Sequence, residues 1–236
     1  MKNGKTIMAK VYIVGVGPGN SKYLTEISKE IISKSDIVLG WDLDLYPVMD
    51  IIKGKEIHLQ NLNNYIGKAI EVANKYKNTE KTVVILRIGD PCISSGLDRL
   101  LKIFDDFEIE IIPGISSVQL AASLANINID ESVIISFHDG GEIEKKKEFM
   151  LKSFRDFFRN IIMLVGPEFL PHNAAEYLIS NGIDEKTEAI VFEKLSFPDQ
   201  KVIKTTLEKL TKLDQFYWLS VLVIINPKYK ERYNNE

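Results

Sequence analysis

One cysteine, Cys92, stands among 236 residues, so the chain can form no internal disulfide and can offer no cysteine-rich metal site, and a reducing compartment is expected. A basic surplus is missing as well. Thirty Lys and Arg against 33 Asp and Glu leave a formal charge of -3 and a pI near 5.8, which argues against nucleic acid as the main partner, since a phosphate-tracking surface needs excess cations. The most apolar run, 219–225, falls far short of the roughly 20 residues of a membrane span. The first ten residues carry Lys2, Lys5 and Lys10 with no apolar leader core between them. A cytoplasmic protein that does not cross a membrane is therefore expected. The sequence also lacks Gly/Ser-rich or Pro-rich linkers and internal repeats, which excludes solenoids and loosely tethered modules.

What is present is an ordinary globular composition, 45% hydrophobic and 27% charged, ample for a buried core. Short β-branched runs at 11–14, 37–39, 82–86, 108–112, 133–137, 161–165, 189–192 and 218–225 alternate with amphipathic stretches at 23–33, 62–75, 96–104, 116–125, 143–158 and 169–180. Alternation of this kind predicts an α/β fold with mainly parallel sheets. With no linker to mark a boundary, it is set in the connection near 126–130, giving domains 1–126 and 127–236. The polar end of the chain, 228–236, reads as a frayed tail.

The first predicted strand runs into Gly15-Val16-Gly17-Pro18-Gly19-Asn20. Strand, glycine turn and helix is the order of a dinucleotide-binding loop, and Asp42 stands where a ribose-binding acid would. The pattern breaks at Asn20, in the third glycine position, and at Pro18, which removes an N–H from the loop. A tight β-to-α turn with no ligand is the other reading. A second strand-end loop, Arg87-Ile88-Gly89-Asp90-Pro91-Cys92, is by itself a type I turn with Asp at its first position. Cys92 lacks an evident base in sequence, which favours a small buried residue over a nucleophile. The third such loop is Ile112-Pro113-Gly114-Ile115-Ser116-Ser117. Ligands of parallel sheets bind beyond strand carboxyl ends, so these loops suggest a shared crevice.

In this order and spacing, Gly-Val-Gly-Pro-Gly, Gly-Asp-Pro and Pro-Gly-Ile-Ser-Ser resemble the motifs of the tetrapyrrole methylase family, which transfers methyl groups from S-adenosylmethionine. Later strings extend the resemblance: Ser136-Phe137-His138, Met163-Leu164-Val165-Gly166-Pro167, and Glu193-Lys194-Leu195-Ser196-Phe197-Pro198-Asp199. They look most like the branch that methylates C5 of a cobalt-precorrin in cobalamin synthesis. The resemblance implies two α/β domains with the active site in the cleft between them, in a homodimer. Its cofactor contacts carry over to Pro18, Gly89, Asp90, Ile93, Ser116 and Ser117, and from the second domain to Val165 and Leu195. Asn20 stands where the family usually has Asp, and Ile88 where it has a small hydroxyl or glycine, which puts polar substrate contacts in question. The substrate brings its own cobalt, so no protein-bound metal is expected. With only 226–236 beyond the matched strings, the companion C15 methylation and decarboxylation are expected of a separate protein.

Such chemistry is an in-line displacement that alignment and desolvation accelerate, without a Ser/His/Asp set. Of three histidines, His58 reads as a solvated strand-edge residue and His172 as a helix-start residue. His138, at a strand end beside Asp139-Gly140-Gly141, either accepts the proton lost from the methylated carbon, anchors a substrate carboxylate, or is structural. A metal triad of His138, Asp139 and Glu142 is a weaker reading. The run 142–148 mixes signs and reads as a solvated helix start. Arg87 and Arg99 flank the Gly-Asp-Pro loop and are the candidate forks for substrate carboxylates. The alternatives are another member of the family acting at a different ring position, a diphthine synthase-like activity, a non-catalytic nucleotide-binding module, or hydride transfer.

Overall fold

The computed structural model describes residues 8–139 and 141–234; Lys2, Lys5 and Gly140 lie outside them. The chain divides into two compact units, Met1–Ser116 and Ser117–Glu236. In the first, β1 (Lys10–Gly15), α1 (Glu26–Lys34), β2 (Ile37–Trp41), the short α2 (Asp42–Leu45), β3 (Glu56–Gln60), α3 (Tyr65–Tyr76), β4 (Thr82–Arg87), α4 (Leu97–Ile103) and β5 (Glu108–Ile112) follow one another. The five strands are ordered β3-β2-β4-β1-β5 and pair in parallel throughout. Strand β4 is buried on both faces, whereas β3 and β5 at the edges alternate with exposed positions, as expected of a sheet covered by helices.

One face packs Val11, Ile13, Leu39, Val83 and Ile85 against Ala69, Val72, Leu100 and Phe104 of α3, α4 and the residue that follows α4. The other packs Val14, Val38, Val84 and Leu86 against Ile32 of α1 and Leu45, Val48 and Ile52. Strands β1 and β4 are neighbours at the centre, and the chain leaves them on opposite faces of the sheet. Their carboxyl ends therefore meet at the switch in winding, where parallel sheets hold ligands.

The second unit begins with α5 (Ser117–Ala125), followed by β6 (Ser132–Ser136), α6 (Ile143–Arg155), β7 (Asn160–Leu164), α7 (Pro171–Ser180), β8 (Glu188–Glu193), β9 (Lys201–Thr206), α8 (Leu207–Leu210), β10 (Ser220–Ile224) and α9 (Pro227–Asn234). Its sheet, ordered β6-β7-β10-β8-β9, is parallel only between β6 and β7; β10 runs antiparallel to β7 and β8, and β9 antiparallel to β8. Its core gathers Phe137, Met150, Phe154, Met163, Leu178, Val191 and Leu222. Two asparagines are buried in it: Asn226 donates its backbone N–H to Asn160 Oδ1 at 2.9 Å and its amide to the Phe154 carbonyl at 2.7 Å.

Several expectations shift. The division falls after Ser116, ten residues before the boundary set at 126, because α5 packs on β7 and β10. Residues 227–234 form a helix rather than a frayed tail, with Pro227 opening it and Tyr229 Oη accepting from the Asn128 N–H at 3.0 Å. Strands β3 and β9 are additional to those predicted. Both are edge strands, where polar residues interrupt the apolar run.

Three glycines fix the carboxyl edge of the first sheet. A Cβ on Gly114 would lie 2.2 Å from the Gly89 carbonyl oxygen, and one on Gly15 would lie 2.6 Å from both that oxygen and the Gly114 nitrogen. By contrast, a Cβ on Gly67, exposed in α3, would meet nothing within 4 Å. We expect Gly114→Ala to lower the unfolding free energy by about 3 kcal/mol, as overpacking against backbone does. Gly67→Ala should raise it by roughly 0.5–1 kcal/mol, through helix propensity. Urea melts of the two variants against the parent chain read both, and equal midpoints would contradict the backbone contact.

Candidate functional site

Three loops leave β1, β4 and β5; the first two are joined main chain to main chain, and the third is tied to the second through the Asp90 carboxylate. Gly17 and Gly89 exchange two hydrogen bonds: the Gly89 N–H donates to the Gly17 carbonyl at 2.7 Å and the Gly17 N–H to the Gly89 carbonyl at 3.3 Å. Val16 donates to the Arg87 carbonyl at 2.9 Å. Both glycines hold positive φ, +78° and +71°, a region that costs other residues strain. The Gly15 carbonyl accepts from the buried Ser28 hydroxyl at 3.0 Å, and Thr25 caps α1 beside it. Asp90 ties the second loop to the third, its Oδ1 accepting the Cys92 N–H at 2.7 Å and its Oδ2 the Gly114 N–H at 3.0 Å.

The first unit thus brings Pro18, Gly89, Asp90, Ile93 and Ser116 onto neighbouring strand ends, with Pro18, Gly89 and Ser116 buried. Ser117 opens α5 in the second unit. The dinucleotide reading loses its geometry here. Asn20 caps a single 3-10 turn, accepting the Lys22 N–H at 2.9 Å, and α1 does not begin until Glu26, so no helix N-terminus follows directly on the glycine turn to receive a pyrophosphate.

The two candidate arginines separate. Arg87 is 7% exposed, with Nη1 donating to Gln60 Oε1 at 3.1 Å and to the Leu86 carbonyl at 2.7 Å, and lying 3.7 Å from Asp44 Oδ2. Its charge answers a buried carboxylate, which corrects its reading as a fork for substrate. Arg99 is exposed on α4 and donates from Nη1 to the Tyr65 hydroxyl. The Tyr65 ring stands 6.1 Å from that of Trp41. Sequence reasoning named Arg99 but passed over the two aromatic rings near it, Trp41 at the end of β2 and Tyr65 at the start of α3, although Trp41 comes two residues after a predicted strand. It also passed over Asp44, an acid whose burial nothing in the local sequence signals. Cys92 is exposed rather than buried; desolvation and the nearby Asp90 push its thiol up, away from the thiolate a nucleophile requires.

In the second unit, His138 and Val165 meet. The imidazole is partly buried and hydrogen-bonded to the Val165 backbone, and burial pulls its pKa below 6.5, against the smaller upward pulls of that bond and of Asp139. The neighbouring backbones are in contact, since a Cβ on Gly166 would lie 1.9 Å from the Phe137 carbonyl oxygen. Leu195 is buried between two residues of positive φ, Lys194 and Ser196. Asp139 pairs with Lys146 and Glu142 with Lys145. Among the described residues no three His, Cys, Asp or Glu side chains gather as a metal site, and no helix is long and apolar enough to cross a membrane. His58 bonds Glu56 at 2.9 Å on the edge strand β3, and His172 opens α7 stacked on Phe216.

A family model described as tetrapyrrole (corrin/porphyrin) methylases matches residues 10–211. A probable cobalt-precorrin-7 C(5)-methyltransferase of Methanocaldococcus jannaschii is 35% identical over 217 residues, 90% of this chain and 96% of the relative. Among solved structures, the precorrin-6Y methylase of Archaeoglobus fulgidus superposes with a TM-score of 0.68 at 21% identity, covering 92% of this chain and 98% of that one. The uroporphyrin-III C-methyltransferase of Thermus thermophilus, complexed with S-adenyl homocysteine, gives 0.71 at 20% identity, covering 92% of each.

A partly buried histidine with a lowered pKa makes stability depend on pH. Below its ordinary value of 6.5 the unfolded chain binds a proton that the folded one resists, so the imidazole lowers stability as pH falls through 6.5 towards the folded value. We expect His138→Asn to remove that contribution. In urea melts between about pH 5 and about 8, the variant should gain on the parent chain only on the acid side, and a pH-independent difference would refute the burial.

Proposed function

Because the chain belongs to the tetrapyrrole (corrin/porphyrin) methylase family, we propose that it methylates C5 of cobalt-precorrin-7 in cobalamin synthesis, with S-adenosylmethionine as donor. What carries the reading is the meeting of the three motif loops at one sheet edge, in a chain whose M. jannaschii relative bears that activity in its name. The donor set suits the cofactor. Bare glycine backbone, the Ser116 and Ser117 hydroxyls and the Asp90 carboxylate match a ribose, an amino acid and a cation, while the helix N-terminus that a pyrophosphate needs starts too late.

When bound, S-adenosylmethionine supplies a methyl group on a positively charged sulfur. The chain's own part is to align and to exclude water. Pro18, Gly89, Asp90, Ile93, Ser116 and Ser117 are assigned to hold the cofactor, and Val165 and Leu195 are assigned the same role. His138, neutral at pH 7 because burial disfavours its charge, is assigned to take the proton that leaves the methylated carbon; its bond to the Val165 backbone orients the ring. Arg99 is assigned to a substrate carboxylate, with the Trp41 and Tyr65 rings beside it as flat surfaces for a flat macrocycle. A homodimer, a cytoplasmic location, and a separate protein for the C15 methylation and decarboxylation belong to the same reading.

S-adenosylhomocysteine should raise the melting temperature, by the equivalent of about 2.7 kcal/mol at a hundredfold excess over its Kd, and NAD should not. Mass spectrometry of the product should show one added methyl group and no lost carboxyl. A shift with NAD alone, or a second methyl from this chain alone, would overturn the assignment. Arg99→Ala should raise the KM for the cobalt-precorrin about tenfold, the worth of one charge-assisted hydrogen bond, with S-adenosylmethionine KM unchanged. A cobalt-precorrin KM unchanged from that of the parent chain would remove Arg99 from the site.

A further inference from the structure

Asp44 does something that no motif assigns to it. It lies on α2, outside the three loops, and is 3% exposed. Its Oδ1 accepts the Ile88 N–H at 2.6 Å and its Oδ2 the Trp41 N–H at 2.9 Å. Burial pushes the carboxyl up, while Arg87 and the two N–H groups pull it back, and an acceptor-only pattern on both oxygens suits the carboxylate. Arg87, its counter-ion at 3.7 Å, reaches on from Nε to the Ser95 carbonyl at 3.4 Å. Gln60 accepts from the same guanidinium at 3.1 Å and donates to the Tyr65 carbonyl at 2.7 Å.

The Gly-Asp-Pro loop is thus gripped at its first residue by Asp44 and near its last by Arg87, while Asp90 grips Gly114 from within. All three grips fall on main-chain atoms. A buried ion pair is a costly way to stabilise a core, where apolar residues of equal volume do as well. Its directed hydrogen bonds, however, fix a backbone without covering it. We infer that Asp44, with Arg87 as its counter-ion, is a positioning residue that presets the Gly-Asp-Pro loop for S-adenosylmethionine, a role that rests on the methyltransferase reading of that loop.

Removing Asp44 alone strands the Arg87 charge, so the informative variants are the isosteric Asp44→Asn and the charge-free pair Asp44→Ala with Arg87→Met. Calorimetry with S-adenosylhomocysteine, alongside melting curves, is the measurement. The parent chain should bind. Each variant should melt cooperatively and bind about tenfold more weakly or worse, as loss of a hydrogen bond to a charged group predicts. In turnover the KM for S-adenosylmethionine should rise by a similar factor, with kcat at saturation and the KM for the cobalt-precorrin within about twofold. Cooperative variants that bind like the parent chain, or variants that both fail to fold, would make Asp44 merely structural and overturn the inference. A parent chain that binds no S-adenosylhomocysteine would instead overturn the reading beneath it.

Discussion

At the carboxyl edge of the first sheet, the main chain of one loop lies against the main chain of the next, with less than the width of a methyl group to spare. Gly15, Gly89 and Gly114 make that contact, and the positive φ of Gly17 and Gly89 lets the first two loops exchange hydrogen bonds as an antiparallel bridge past the end of the parallel strands. Much of the site follows from it. The loops stack because β1 and β4 are adjacent and β5 flanks β1. Polar main-chain atoms are brought to one edge because no side chain intervenes, and Asp90 can cross to Gly114 only at that closeness.

Each unit buries polar side chains that hold main chain, and those of the second include the carboxylate of Glu193, which accepts the Tyr217 N–H at 2.8 Å. The first sets an ion pair, Asp44 and Arg87, beneath a loop at the carboxyl end of its sheet. The second also uses neutral amides, Asn160 and Asn226, to tie the start of β7, the end of β10 and the end of α6. Neutral amides carry a smaller desolvation penalty than charges and do not titrate, which suits a joint that only has to hold. The first arrangement is costlier, and it stands under the loop that carries the Gly-Asp-Pro motif.

Much of this was legible in the sequence. The apolar run at 82–86 lies within β4, because a buried parallel strand reads as an uninterrupted β-branched segment, and 108–112 is the edge strand β5, legible from Glu and Ile in alternation. The three loops were legible because glycine and proline mark strand ends. Strand direction was not: periodicity distinguishes a strand from a helix but says nothing about which way it runs, so the antiparallel course of β8, β9 and β10 emerged only in three dimensions. Neither was the allegiance of α5, whose mainly apolar sequence, 117–125, broken by Ser117, Gln119 and Ser123, suits either side of a boundary. Arg87 looked available because it adjoins a motif, yet it closes β4, where every residue after the first is buried. Proximity in sequence carried no information about which way its guanidinium turned.

The outer strands differ in how they are armed. Strand β3 carries Glu56, β5 carries Glu108 and Glu110, and β9 carries Lys201 and Lys204. Strand β6, Ser132–Ser136, carries no charge, and Ile134 on it is 42% exposed. Charges on an edge discourage another chain from adding itself as a further strand. In a concentrated preparation or a slow refolding, self-association through added strands would therefore start at β6, and a single lysine in place of Ile134 would be the simplest change for keeping the protein in solution.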